Sequence, residues 1–217
     1  MNAQKILDEI LALDAKIADL RDQFKELDEG SRFTALETLT YDLFQRTGDL
    51  DPMPMSMLRA VDLVCDLEKG AVILGAGMGH PNENVRELCG HSLVTLSEEG
   101  IDAIVPAVDL VLETGGHAAQ EMPFVLTYVD SPEATGHIVR FLEVDDAEIV
   151  ASAIEALAEL RDPEAIPALQ KLVDDTREVP MDEEDFDDGD DSGAERMISL
   201  GALATDAIEF ITEAYGA

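Results

Sequence analysis

Ser131-Pro132-Glu133-Ala134 and Asp162-Pro163-Glu164-Ala165 are two versions of one tetrad, and their prolines stand 31 residues apart. Each tetrad follows an apolar run with helical spacing and opens a second such run. A looser version of the same unit lies upstream, beginning at Asn82. A pair of helices that recurs about every 30 residues is typical of an α-solenoid.

The tetrads also predict where the second helix of each pair begins. Ser131 and Asp162 have side-chain oxygens that can cap a helix, and the proline that follows tolerates the first helical position because no donor is lost there. The next residue, Glu, suits the positive end of the helix dipole. A helix pair with one apolar stripe on each helix cannot bury both stripes alone, so stacked pairs are expected.

We therefore predict an all-α fold, a short α-solenoid spanning 52–217, with a degenerate first repeat and a last helical segment that ends near Tyr215. Three helix pairs form its centre, at 82–97/100–113, 118–129/132–143 and 147–160/163–174.

The octet Asp-Pro-Glu-Ala-Ile-Pro-Ala-Leu at 162–169, together with Asn84-Val85-Arg86 at the start of a first helix, resembles HEAT repeats of the short, phycobilisome-lyase-like type. The resemblance covers roughly Pro81 to Asp175. It implies a helical scaffold that binds other proteins, in a family that also contains occasional enzymes. HEAT-like metal hydroxylases carry His-Glu pairs as iron ligands, and no histidine of this chain precedes a glutamate.

Residues 1–47 form a separate N-terminal unit with a heptad pattern. One seam position holds Ile10, Ile17 and Phe24, and the other holds Ile6, Leu13, Leu20 and Leu27. A helical hairpin is one interpretation, in which Gly30-Ser31 ends the first helix and a partner helix continues to Thr47. The other interpretation is a homodimer through a parallel coiled coil, which Ile and Leu in these respective positions favour.

The charge excludes one class of function. The chain has 14 Lys and Arg residues against 48 Asp and Glu residues, a net charge of −34. Nucleic-acid binding through phosphates needs basic patches, so DNA and RNA are excluded as partners. The acidity is spread along the chain and Arg outnumbers Lys, a composition that resembles proteins of salt-accumulating halophiles. Neither a signal peptide nor an apolar run of membrane-spanning length is visible, so we expect a cytoplasmic protein.

Motifs for chemistry are weak. Cys65 and Cys89 lie on apolar helical stripes and are interpreted as small buried side chains. The stretch from Gly75 to Gly79 lacks the spacing and the strand of a dinucleotide-binding loop, so it is interpreted as a loop that ends a helix. We predict no catalytic residues, no cofactor and no metal site.

An acidic disordered loop is predicted at 174–193, where like charges and turn residues interrupt the repeat. Phe186 is the aromatic side chain of this stretch, and Asp185 and Asp187 flank it. An apolar anchor between carboxylates can dock into an apolar pocket with a basic rim. These three residues are the candidate partner-binding site.

The pattern favours a non-catalytic scaffold or adaptor that binds another protein in a groove lined by the second helices. A lyase-like enzyme or enzyme subunit acting on a cofactor-bearing partner is the alternative. A second alternative is an acidic mimic of nucleic acid that sequesters a basic protein, although spread acidity does not match the ordered rows such a mimic needs.

The charge generates a first prediction. Raising KCl from about 0.1 M to about 1 M shortens the Debye length from about 10 Å to about 3 Å. Because this screens the repulsion within a chain of net charge −34, the melting temperature followed by circular dichroism should rise steeply. An unchanged melting temperature over that range would show that the negative charges are compensated locally.

Overall fold

The computed structural model describes residues 3–28, 30–32, 34–35, 38, 70–180 and 196–216. The helices are α1 (Ala3–Lys25), α2 (Gly70–Gly77), α3 (Glu83–Leu96), α4 (Val105–Thr114), α5 (Gly116–Thr127), α6 (Ala134–Val139), α7 (Ala147–Leu160), α8 (Ile166–Leu169) and α9 (Leu200–Gly216). Short 3₁₀ turns lie at Ser97–Glu99, Ile101–Ala103, Arg140–Glu143 and Pro163–Ala165. Two short strands are β1 (Glu178–Pro180) and β2 (Met197–Ser199).

The helices from α2 onward form two layers. In the first layer α3, α5, α7 and α9 pack side by side in that order. In the second layer α2 packs against α4, and Arg140 of the turn after α6 joins Asp109 of α4 through an ion pair of 2.6 Å. Across the layers, packing joins α2 with α3, α4 with α5, α5 with α6, α6 with α7, and α8 with α9. This arrangement confirms the all-α solenoid predicted from the repeat.

The tetrads form the expected local hydrogen bonds, although α6 begins at Ala134 without a side-chain cap and Asp162 caps the 3₁₀ turn that leads into α8. The Asp162 carboxylate accepts a hydrogen bond of 3.0 Å from the amide of Glu164, and the Ser131 hydroxyl accepts one of 3.3 Å from the amide of Glu133. Arg161, in the left-handed region at φ 54°, ends α7 just before its tetrad. The second helix of every pair is shorter than predicted, because 3₁₀ turns take up part of each predicted range and turns occupy 170–174 after α8.

One apolar core runs between the two layers. It contains fully buried side chains from both of them, among them Leu93, Met122, Ile154, Leu157, Ile104, Phe141 and Leu169. Cys89 belongs to the same core, which confirms its interpretation as a small buried side chain. Cys65 lies outside the described residues.

The predicted end of the first N-terminal helix is wrong. The helix α1 ends at Lys25, and Gly30-Ser31 lies in a following helical stretch rather than at a break. The reason is Asp28, whose carboxylate accepts hydrogen bonds from the Ser31 amide at 2.9 Å and the Ser31 hydroxyl at 2.6 Å. These bonds lower the pKa of Asp28 and cap the second stretch. The predicted partner helix up to Thr47 otherwise lies largely outside the described residues.

The Gly75–Gly79 interpretation also needs correction in part. Gly75 lies inside α2, and that helix ends two residues later at Gly77. A Cβ atom at Gly75 would lie 3.0 Å from Cβ of Ala107 in α4. The glycine therefore serves the close packing of two second-layer helices.

The beginning of the predicted acidic loop is structured. Arg177 donates hydrogen bonds to both carboxylate oxygens of Asp175, the shorter at 2.6 Å, and to the carbonyl oxygens of Val144 and Asp145 before α7. The same guanidinium lowers the pKa of Asp175. Beyond it, β1 pairs antiparallel with β2. Residues 174–180 thus differ from the expectation, since contacts distant in sequence hold them, and 181–195 lie outside the described residues.

The close packing of Gly201, near the start of α9, against the backbone of residues 173–175 leads to a prediction on stability. Its Cβ would lie 2.6 Å from the carbonyl oxygen of Val173 and 2.9 Å from that of Asp175. Backbone atoms cannot move aside cheaply, so Gly201→Ala should lower the free energy of unfolding by about 1–3 kcal/mol, measured by urea denaturation.

Gly136→Ala is the matched control, because nothing lies within 4 Å of a Cβ at that helical position. It should stabilise the fold by about 0.5–1 kcal/mol through helix propensity. Equal effects of the two substitutions would contradict the close approach at Gly201.

Candidate protein-binding cleft

The helices α3 and α5 lie parallel and in register. Arg86 contacts Glu121, and Gly90 faces Val125, so both contacts join residues that are 35 positions apart. A Cβ atom at Gly90 would lie 3.0 Å from Cγ2 of Val125. The packing of α5 against α7 is more extensive than its packing against α3. The seam between α3 and α5 is therefore the more open one in this layer.

A cleft of 520 Å³ opens along this seam on the first-layer side. Its apolar lining consists of Gly90, Val94, Phe124, Val125 and Tyr128. Its polar lining consists of Arg86, Glu87, His91 and Glu121. Most ligand pockets of this size class are apolar with a few placed polar groups, and this cleft follows that pattern.

Arg86 fixes one end of the cleft. Its Nε lies 2.7 Å from a carboxylate oxygen of Glu121, and its Nη1 donates to the carbonyl oxygen of His80 at 3.1 Å. The His117 ring lies 3.3 Å from the same Glu121 oxygen. The Arg86 side chain is 13% exposed, so this ion pair is mostly shielded from water. The network joins α3, α5 and the turn that precedes α3.

The other end of the cleft is aromatic and acidic. The Tyr128 side chain lies just after α5 and is 70% exposed, an unusual exposure for a large aromatic residue. Because the two helices are parallel, Glu98 and Glu99 after α3 lie at the same end as Asp130 after Tyr128, and all three are exposed. An apolar floor thus leads to an acidic end.

The predicted partner-binding residues cannot be related to this cleft, since Phe186, Asp185 and Asp187 lie outside the described residues. The cleft also differs from the predicted groove in one respect: its lining comes from first helices of successive pairs, whereas we expected second helices. The spacing of 35 residues between the contacting positions is not a sequence motif. A glycine in the middle of an apolar helical run, Gly90, was the one signal available.

The described residues also bear on metal sites, reactive thiols and membrane spans. Among these residues no three His, Cys, Asp or Glu side chains converge as metal ligands would. Burial raises the pKa of the Cys89 thiol to about 12, so this thiol is not a reactive nucleophile in the folded protein. No described helix is sufficiently long and apolar to cross a membrane.

The cleft network generates a prediction on stability. Arg86→Ala should lower the free energy of unfolding by about 1–3 kcal/mol, because it leaves Glu121 and the His80 carbonyl without a charged donor. The measurement is chemical denaturation of both proteins in the same buffer.

Arg140→Ala is the matched control, since Arg140 makes the same type of inter-helix ion pair with Asp109 but with side chains 40% and 57% exposed. Exposed pairs contribute little, so its effect should stay below about 1 kcal/mol. A loss at Arg140 as large as that at Arg86 would contradict the structural role of the cleft network.

Comparison with known proteins supports the repeat. Residues 117–180 match a family model described as HEAT repeats. No curated protein sequence matches the chain. A crystal structure of an engineered protein aligns over 90% of this chain and 97% of its own, at 18% identity and a TM-score of 0.35, a likeness too small to support an argument. The described residues therefore form a helical fold, and residues 117–180 within it match the HEAT-repeat model.

Proposed function

We propose that the protein is a non-catalytic adaptor whose α3–α5 cleft binds a segment of another protein. The observation that carries the proposal is the apolar cleft itself, with the exposed Tyr128 ring at its end. HEAT-repeat solenoids commonly serve as protein-interaction scaffolds. An exposed aromatic residue beside an apolar depression is the composition found at the energetic centres of protein interfaces.

The charge of the chain indicates the chemistry of the partner. Glu98, Glu99 and Asp130 follow the two cleft helices, and the whole chain has a net charge of −34. Such a field attracts a cationic segment and repels an acidic one. The partner segment should therefore place an apolar side chain in the cleft and flank it with Lys or Arg.

The acidic surface also indicates the ionic strength at which the proposed adaptor would work. An acidic surface with few lysines suits a cytoplasm rich in salt, where short-range screening reduces repulsion. At such ionic strength steering is weak, so the apolar contacts of the cleft would have to supply most of the affinity.

The test is affinity capture of binding proteins from native lysate in about 1 M KCl, a condition that suppresses purely electrostatic association. Mass spectrometry then compares three baits, the wild type, Tyr128→Ala and Phe210→Ala. Phe210 is the matched control, because it is also an aromatic residue of the first layer, 45% exposed, but on α9. We expect a specific partner that the Tyr128 variant loses and the Phe210 variant retains.

Two results would support other functions. If Tyr128→Ala retains every partner and the retained proteins are basic, the acidic mimic becomes the better explanation. If the purified protein or its partner carries a chromophore seen by absorbance spectroscopy, the lyase-like enzyme becomes the better explanation.

Phe186, with Asp185 and Asp187, remains a second proposed contact. The three residues alternate an apolar ring with carboxylates, the composition of an anchor that is steered to a basic rim. Phe186→Ala in the same capture experiment should then weaken partner binding while the melting temperature stays unchanged. Full retention of the partner would assign recognition to the α3–α5 cleft alone.

A further inference from the structure

The helix α1 has a long apolar seam that faces solvent. Ile6, Leu13, Ile17 and Leu20 follow heptad spacing, and their exposed fractions lie between 41% and 59%. Phe24, the next seam residue, packs against the core of its own chain. Among the described residues that follow α1, those at 30, 31, 34, 35 and 38 are exposed as well, and Arg32 is half-buried. A row of exposed Ile and Leu residues marks a surface that another molecule can cover.

The charge of α1 differs from that of the rest of the chain. Ala3–Lys25 has four basic and five acidic residues. The remaining sequence has ten of the 14 Lys and Arg residues and 43 of the 48 Asp and Glu residues. The net charge of α1 is therefore close to zero, so the summed charge of two α1 helices opposes their approach only weakly.

The seam pattern specifies the geometry of such a pair. Ile17 occupies one seam position, and Leu13 and Leu20 occupy the other. β-Branched Ile in the first position and Leu in the second favour a parallel two-stranded coiled coil. The occupant that fits the seam is therefore a second copy of this chain in the same orientation.

The charged residues that flank the seam make pairing depend on the salt concentration. Lys16 directly precedes Ile17, and Arg21 directly follows Leu20, so these residues occupy the two positions that meet across a parallel pair. Lys16 of one copy would face Arg21 of the second copy, twice in each dimer. Both side chains are exposed in the single chain. Like charges that face each other across the pair oppose dimerisation at low salt. Their repulsion is screened at high salt, when the Debye length falls to about 3 Å.

We propose that α1 is a salt-dependent homodimerisation helix, in which two copies pair in parallel through Ile6–Leu20 when the ionic strength is high. This proposal does not depend on the α3–α5 cleft.

The test measures the oligomeric state of the full chain by sedimentation velocity at about 0.1 M and about 1 M KCl. At the same protein concentration, we expect a monomer at the lower KCl concentration and a dimer at the higher one. Leu20→Glu should keep the chain monomeric at both concentrations, because it places a charge in the seam. Its helical circular dichroism should match that of the wild type, since Leu20 is 52% exposed in the single chain.

Charge reversal tests the flanking pair. Lys16→Glu turns each like-charge contact into an opposite-charge contact, so the dimer Kd at low salt should fall about tenfold. Lys5→Glu makes the same change of net charge at a position that does not flank the seam, because Lys5 precedes Ile6, a residue of the second seam position. This substitution should leave the Kd unchanged or raise it. The double variant Lys16→Glu/Arg21→Glu restores a like-charge contact and should return the Kd towards the wild-type value.

A disulfide cross-link tests whether the two α1 helices are parallel. With Cys65→Ser as background, Ile6→Cys should form an intermolecular disulfide in high salt, because equivalent seam positions meet only in a parallel pair. Three outcomes would overturn the proposal: a monomer at high salt, a dimer that Leu20→Glu leaves intact, or a dimer without the Ile6→Cys cross-link. Equal Kd values for Lys16→Glu and Lys5→Glu would overturn the salt mechanism.

Discussion

Burial of apolar stripes between two helix layers is the constraint on which the rest of this structure depends. Each helix of the array has one apolar face, and neither layer covers that face without the other. Side chains from both layers, such as Leu93 and Phe141, are fully buried in one apolar core. The side chains that point away from this core are then free to form clefts and charged surfaces.

The sequence predicts this array well because its signals are local. The tetrads at Ser131 and Asp162 combine a cap, a proline and an acidic residue, and each of these acts within one helical turn. For the same reason the first helices of the three pairs end within two residues of the predicted positions. The error at Gly30 arose from a competing local signal, since Asp28 caps the following stretch two residues earlier.

The features that could not be predicted depend on contacts between distant residues. The strands β1 and β2 pair across a gap of 16 residues, and Arg177 binds carbonyl oxygens that lie more than 30 positions earlier. The α3–α5 cleft depends on a register of 35 residues between helices. No motif encodes such a register. It depends on close approaches such as that of the Val125 side chain to the backbone of Gly90.

The last helix of the first layer limits how the array can grow. One side of α9 covers α7, while its other side exposes Asp206, Glu209 and Glu213. Arg161, which ends α7, lies 4.5 Å from the centre of the Phe210 ring of α9 and partly shields it. Carboxylates on an exposed helix face repel a second acidic chain. End-to-end stacking of another copy against this face is therefore disfavoured at low ionic strength.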